Sequence, residues 1–172
     1  MAKNRGSGSL EITLPSDLEI LITRTLDAPR RLVFEAMTRP EHVRRWWCCM
    51  DGFTMTVCDM DVRVGGRWRY VIVGPPGEVA FHGLYQEIAP PERLVHSEFL
   101  EPHPDGLIVT ITLDERDGKT YYRSLSRAVS KEQRDAVLAS GMEVGAELAL
   151  DRMLEVAQSL APGRGASPAI PG

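Results

Sequence analysis

A chain of 172 residues, 43% hydrophobic and 26% charged, has the make-up of one ordinary globular domain and is far from the composition of a disordered chain. Its net charge of -4, with no basic block, leaves no electrostatic footprint for a nucleic-acid backbone. No apolar run approaches the ~20 residues that a bilayer span needs, the N-terminus carries no apolar secretory segment, and three cysteines, two of them adjacent at Cys48-Cys49, make no disulfide framework, so a cytoplasmic location is expected.

Residues 1–9 are small, polar and basic, and residues 162–172 are dominated by Pro, Gly and Ala. Both read as disordered tails around a single domain over residues 10–161. Leu10 to Leu14 suggests a short extra strand stopped by Pro15. Glu19 to Leu26 alternates, with Ile20, Ile22 and Leu26 on one side, and predicts a strand. Asp27 then reads as an N-cap with Pro29 in the first helical turn, and Leu32, Val33, Ala36 and Met37 form the apolar stripe of a helix. After the break at Pro40 a second short helix runs towards Trp46-Trp47.

Six strand-like runs follow, near 53–63, 66–73, 79–88, 93–100, 107–114 and 119–128. They are punctuated by Gly65-Gly66, Pro75-Pro76-Gly77, Pro90-Pro91, Pro104-Asp105-Gly106 and Arg116-Asp117-Gly118. Connections this short join antiparallel neighbours, because a parallel pair needs a crossover of a dozen residues or more. Ser130 with Gln133 reads as a capping box. From Met142 to Leu160 the helical period puts Met142, Ala146, Ala149, Leu150, Met153, Ala157 and Leu160 on one face, with Glu147, Asp151 and Glu155 opposite. Val144 and Leu148 fall off that face and are candidates for a homodimer contact. The order strand, two short helices, six strands, long helix defines an α+β fold in which the last helix covers one face of a curved sheet.

That order resembles the START/Bet-v-1-like superfamily and its helix-grip fold. The local sequence is similar to the branch named after the activator of the heat-shock protein 90 ATPase. The resemblance rests on Asp27-Ala28-Pro29 with Val33-Phe34-Glu35-Ala36, on Pro40-Glu41-His42 with Trp46-Trp47, and on Asp61-Val62-Arg63-Val64-Gly65-Gly66-Arg67-Trp68. It extends through Gly83-Leu84-Tyr85-Gln86-Glu87-Ile88 before Pro90-Pro91-Glu92-Arg93-Leu94, and Ser140-Gly141-Met142-Glu143-Val144-Gly145. It implies a chassis shared by lipid carriers, hormone receptors, cyclases and other proteins, so the fold alone does not choose the function. Where such relatives tend to carry Trp-Trp-Gly-Pro this chain has Trp46-Trp47-Cys48-Cys49, and where they often carry a tryptophan after the helix glycine it has Ala146.

The candidate site is a cavity between sheet and last helix. Pairing Trp68, Tyr70 and Ile72 with Tyr85, Gly83 and Phe81 across the Pro75–Glu78 turn puts these residues on one face, away from Arg67, Arg69 and His82. Tyr122 and Ser124 point inward on the last strand. Gly145, Ala146 and Ala149, between Met142 and Met153, give the helix a small-residue stretch. Trp46, Trp47, Phe53 and Phe99 complete the expected lining. An indole replaced by the methyl of Ala146 leaves a space worth roughly 3–5 kcal/mol, so neighbours, water or a ligand must fill it.

The residues point first to a binding module for a small apolar or aromatic molecule. A cyclase, dehydratase or isomerase using Tyr122, Tyr70 or Tyr85 is second, and a partner of heat-shock protein 90 is third. No cofactor or metal is expected, since adjacent cysteines wrap zinc poorly, and the chain has no nucleophile elbow, phosphate loop or dinucleotide fingerprint. His82 and His96 are expected on the outer sheet face, and Asp61 with Arg63 beside Gly65-Gly66 reads as fixing a strand bulge.

Overall fold

The structure, a computed structural model, describes residues 8–48 and 50–162. Most of both expected tails, and Cys49, lie outside the described residues. In chain order the elements are β1 (Glu11–Thr13), β2 (Glu19–Leu26), α1 (Arg30–Thr38), α2 (Pro40–Trp46), β3 (Thr54–Met60), β4 (Arg67–Gly74), β5 (Gly77–Ala89), β6 (Arg93–Leu100), β7 (Leu107–Arg116), β8 (Lys119–Arg127), α3 (Lys131–Ala139) and α4 (Met142–Ser159). The strands form one antiparallel sheet in the order β1-β2-β8-β7-β6-β5-β4-β3, an unbroken meander from β3 to β8 that β2 and β1 extend beyond β8. This is the helix-grip architecture.

Turn chemistry sets the register. The β4–β5 hairpin closes on Gly74 and Gly77 around Pro75-Pro76, which pairs Trp68 with Gly83, Tyr70 with Phe81 and Ile72 with Val79. The pairing expected from sequence was two residues out of step because it assigned the turn to Pro75–Glu78. A slip of two preserves the face, so the inward set survives the correction.

Helix α1 starts two residues later than its sequence suggests. Pro29, not Asp27, is the N-cap and offers no side-chain bond. The Arg30 N–H instead donates to Oε1 of Glu115 on β7 at 2.8 Å, which supplies both an acceptor and a negative charge where the helix end needs them. Leu32, Val33, Phe34, Ala36 and Met37 are buried against the sheet and α4, each such side chain contributing about 1.5–3 kcal/mol through burial.

The last helix is two. Ser130 accepts from the Gln133 N–H at 3.1 Å and starts α3, while the Gln133 side chain accepts from Val129 rather than Ser130. Gly141, at φ +81°, then breaks the chain before α4. A left-handed residue is routine for glycine and ends the first helix cleanly.

Helix α4 runs closest to α1 and α2, not to the strands. Its second half is the buried part, with Leu150, Met153, Leu154, Val156 and Ala157, whereas Met142, Ala146 and Ala149 are only half-buried. Leu154 and Val156 fall outside the expected stripe because α1, α2 and the sheet together enclose a broader arc than one flat surface would. Asp151 was expected to face solvent. It reaches Arg24 on β2, whose guanidinium is buried and also donates to the Glu147 carbonyl at 3.4 Å. Val144 remains 72% exposed.

Candidate functional site

Strands β4, β5 and β6 aim an aromatic and polar set at the helices. Trp68 and Tyr70 come from β4, Phe81 and Tyr85 from β5, and Leu94, His96 and Glu98 from β6; Met37, Trp46 and Trp47 close over them from α1 and the end of α2. The Trp47 ring sits 5.0 Å from both Tyr70 and Phe81 at steep angles, and Trp68 lies 4.7 Å from Tyr70. Such tilted and edge-on contacts suit ring quadrupoles. Trp46 donates to the Ala36 carbonyl at 2.8 Å and pins α2 to α1.

Between these side chains is a gap of about 50 Å³, room for water or a small group and not for a larger ligand. A groove of about 590 Å³ opens beside it. Val79, Phe81, Glu98, Leu100 and Leu107 form its sheet wall, and Ala136, Val137, Ser140 and Met142 its helical wall at the α3–α4 break. His103, Pro104 and Asp105 form the rim. Gln133 donates to the carbonyls of Asp105 and Gly106 at 3.1 and 3.4 Å, which ties the rim loop to α3. Phe81 and Glu98 border both spaces, as lining or, for Phe81 at the gap, through Trp47.

Burial controls the hydroxyls. Desolvation pushes Tyr85 and Tyr122 up to about 12 and Tyr70 well above the ordinary tyrosine range, with the neighbouring Tyr85 adding to the rise at Tyr70. All three are held protonated, as hydrogen-bonding groups and not as bases. His96 packs edge-on to Trp68 at 5.6 Å, and its Nε2 lies 3.7 Å from Glu98 Oε2.

The expected lining residues divide by place. Trp46, Trp47, Trp68, Tyr70 and Tyr85 surround the gap; Phe81 and Met142 line the groove. Tyr122 and Ser124 face inward two strands further on, opposite Arg24 and Ile22, and join the core with Met153. Ala146 packs against the core edge, and the neighbouring Gly145 faces open space. Phe53 covers Gly74 at the end of the β4–β5 hairpin. Phe99 lies on the outer face, stacked at 5.2 Å on His82. His96, expected outside, is inside.

The last two reversals have one cause. On β6, Leu94, His96 and Glu98 share the inner face, and a bulge between Tyr85 and Glu87 sets that phase. One residue of phase moves every side chain to the other face. Hydrophobicity alone favours Val95 and Phe99 as the inward pair, so Glu98 and His96 escaped the sequence reading. The signal available was the alternation of Leu94 with Leu100, which brackets both polar residues. The outer face instead carries Arg69, which makes a double hydrogen bond to Glu101 at 3.1 Å, with His82 Nδ1 3.0 Å from the same carboxylate. These partners hold the Glu101 carboxyl below its ordinary range.

Fold and site together define a helix-grip protein with its aromatic interior next to an open groove. Residues 27–158 match the family described as activator of Hsp90 ATPase homolog 1-like protein, and the chain belongs to that family. A crystal structure of a Rhodobacter sphaeroides protein is similar at 28% identity and a TM-score of 0.82, covering 89% of this chain and all of that one. CalU16 from Micromonospora echinospora is similar at 26% identity and a TM-score of 0.61, covering 95% of this chain and 80% of its own. A Mycobacterium smegmatis protein, at 23% identity and a TM-score of 0.76, covers 91% of this chain and 98% of its own and shares the fold. No curated protein matches the chain. None of the described helices is long and apolar enough to cross a membrane.

Proposed function

We propose that the chain is a non-enzymatic binding module for a small apolar or aromatic molecule, taken up in the groove beneath the α3–α4 break. The observation that carries this reading is the groove itself. Its volume of about 590 Å³ lies within the roughly 300–1,000 Å³ of ligand pockets, its walls are mostly apolar, and Glu98 joins it to the aromatic gap. The family's description names an activator of Hsp90 ATPase; the groove gives that activity no support of its own.

Binding of an apolar fluorescent probe tests the reading. Val137→Trp fills the helical wall from a half-buried position, so probe affinity should fall at least about tenfold, ~1.4 kcal/mol, with little change in Tm. A wild-type protein that never binds the probe, or a variant that binds it equally well, would defeat the proposal.

A further inference from the structure

We infer that the groove selects molecules whose polar end is positively charged, a protonated amine or amidine on an apolar body, over those ending in a carboxylate. The inference rests on the binding reading above. Glu98 occupies the one place where groove and gap share a polar wall. Among the described residues no lysine or arginine pairs with it; its only neighbour of that kind is His96, 3.7 Å away. Across both spaces the ionisable lining is Glu98, Asp105, His96, His103, Tyr70 and Tyr85. Among the described residues, two carboxylates therefore face the ligand space, and no guanidinium or ammonium does.

The carboxylate of Glu98 is partly shielded from water, with its side chain 30% exposed. A charge so placed interacts more strongly with a neighbour than one in bulk water. Its influence reaches the interior, where it adds to the upward pull on Tyr70 and Tyr122. An entering carboxylate would lose hydration and meet this negative wall. An entering ammonium would give Glu98 a permanently charged partner beside His96.

Three probes with one body separate the cases: 1-naphthylmethylamine, 1-naphthalenemethanol and 1-naphthoate, titrated calorimetrically at low ionic strength and at about pH 8, above the reference imidazole range. The amine should bind at least about tenfold more tightly than the naphthoate, ~1.4 kcal/mol, with the alcohol between. Added salt should shrink that ratio. Glu98→Gln, with its circular dichroism checked against wild type, should bring the ratio within about threefold of one.

Equal affinities, or a preference for naphthoate while the alcohol still binds, would overturn charge selection and leave the binding module standing. A preference that survives Glu98→Gln and disappears in Asp105→Asn would overturn the assignment to Glu98. If none of the three binds and the apolar probe also fails, the binding reading falls, and this inference with it.

Discussion

The indole N–H of Trp68 donates to the backbone carbonyl of Ser97 at 3.2 Å, crossing from β4 to β6 over Gly83 on the strand between them. A Cβ at position 83 would stand 1.8 Å from that carbonyl oxygen and 2.6 Å from the indole nitrogen. Neither the strand backbone nor the buried Trp68 can retreat that far. Gly83→Ala should therefore cost about 3 kcal/mol or more, at the upper end of overpacking effects. A urea midpoint followed by tryptophan fluorescence would measure it, and an unchanged midpoint would mean that Trp68 does not bridge these strands.

Cys48 holds a left-handed backbone at φ 50°, a conformation that glycine adopts at least cost. A side chain there costs roughly 1–2 kcal/mol, while glycine loses about 0.5–1 kcal/mol more entropy on folding. Cys48→Gly should thus stabilise by about 0.5–1 kcal/mol, read as a higher Tm. Cys48→Ala keeps the Cβ and should show no such gain; an equal gain would assign the effect to loss of the thiol.

Arg24 and Asp151 form a partly buried ion pair between β2 and α4. Removing one partner from such a pair is worse than replacing both. Since Asp151 is half exposed, Asp151→Ala should cost about 1–3 kcal/mol, below the full penalty of a buried orphan charge. The double variant Arg24→Met, Asp151→Ala should recover much of that loss. A double-mutant cycle in urea measures the coupling, and purely additive losses would contradict it.

Tyr85 and Tyr122, raised from 10.0 to about 12, keep their protons in the folded state at a pH where the unfolded chain loses them. The unfolded state then binds fewer protons, so stability falls as pH rises. The contribution is complete below about pH 10 and lost towards about pH 12, on the order of 2 kcal/mol for each group. Urea midpoints across that window should decline, and less steeply in Tyr122→Phe. A flat profile would show that these hydroxyls reach solvent.

Much of the architecture was legible because punctuation and alternation agree. Turns containing Gly or Pro separate the strands of the meander, and Ile20, Ile22 and Leu26 fix the inner face of β2. Arg24 was legible in phase with them, and its inward path went unread because a charge on an apolar stripe looks like an exception. The phase of β6 was hidden for the opposite reason, since His96 and Glu98 occupy the face that apolar residues usually mark. The groove had least trace in the sequence. Its walls come from β5, β6, β7, α3 and α4, which no local period connects, and the capping box at Ser130 announced a helix without saying that it ends at Gly141.

The break at Gly141 divides the labour of the two C-terminal helices. Helix α4 is committed to the core through Leu150, Met153 and Leu154, so changes along its second half compete directly with stability. Helix α3 buries only Arg134 and presents Ala136 and Val137 to the groove. Its groove-facing positions sit outside the strand ladder and the packed interior, and can vary while the folding energy stays nearly constant. A helix-grip chain built this way can reshape the walls of its groove by a few substitutions in one short segment.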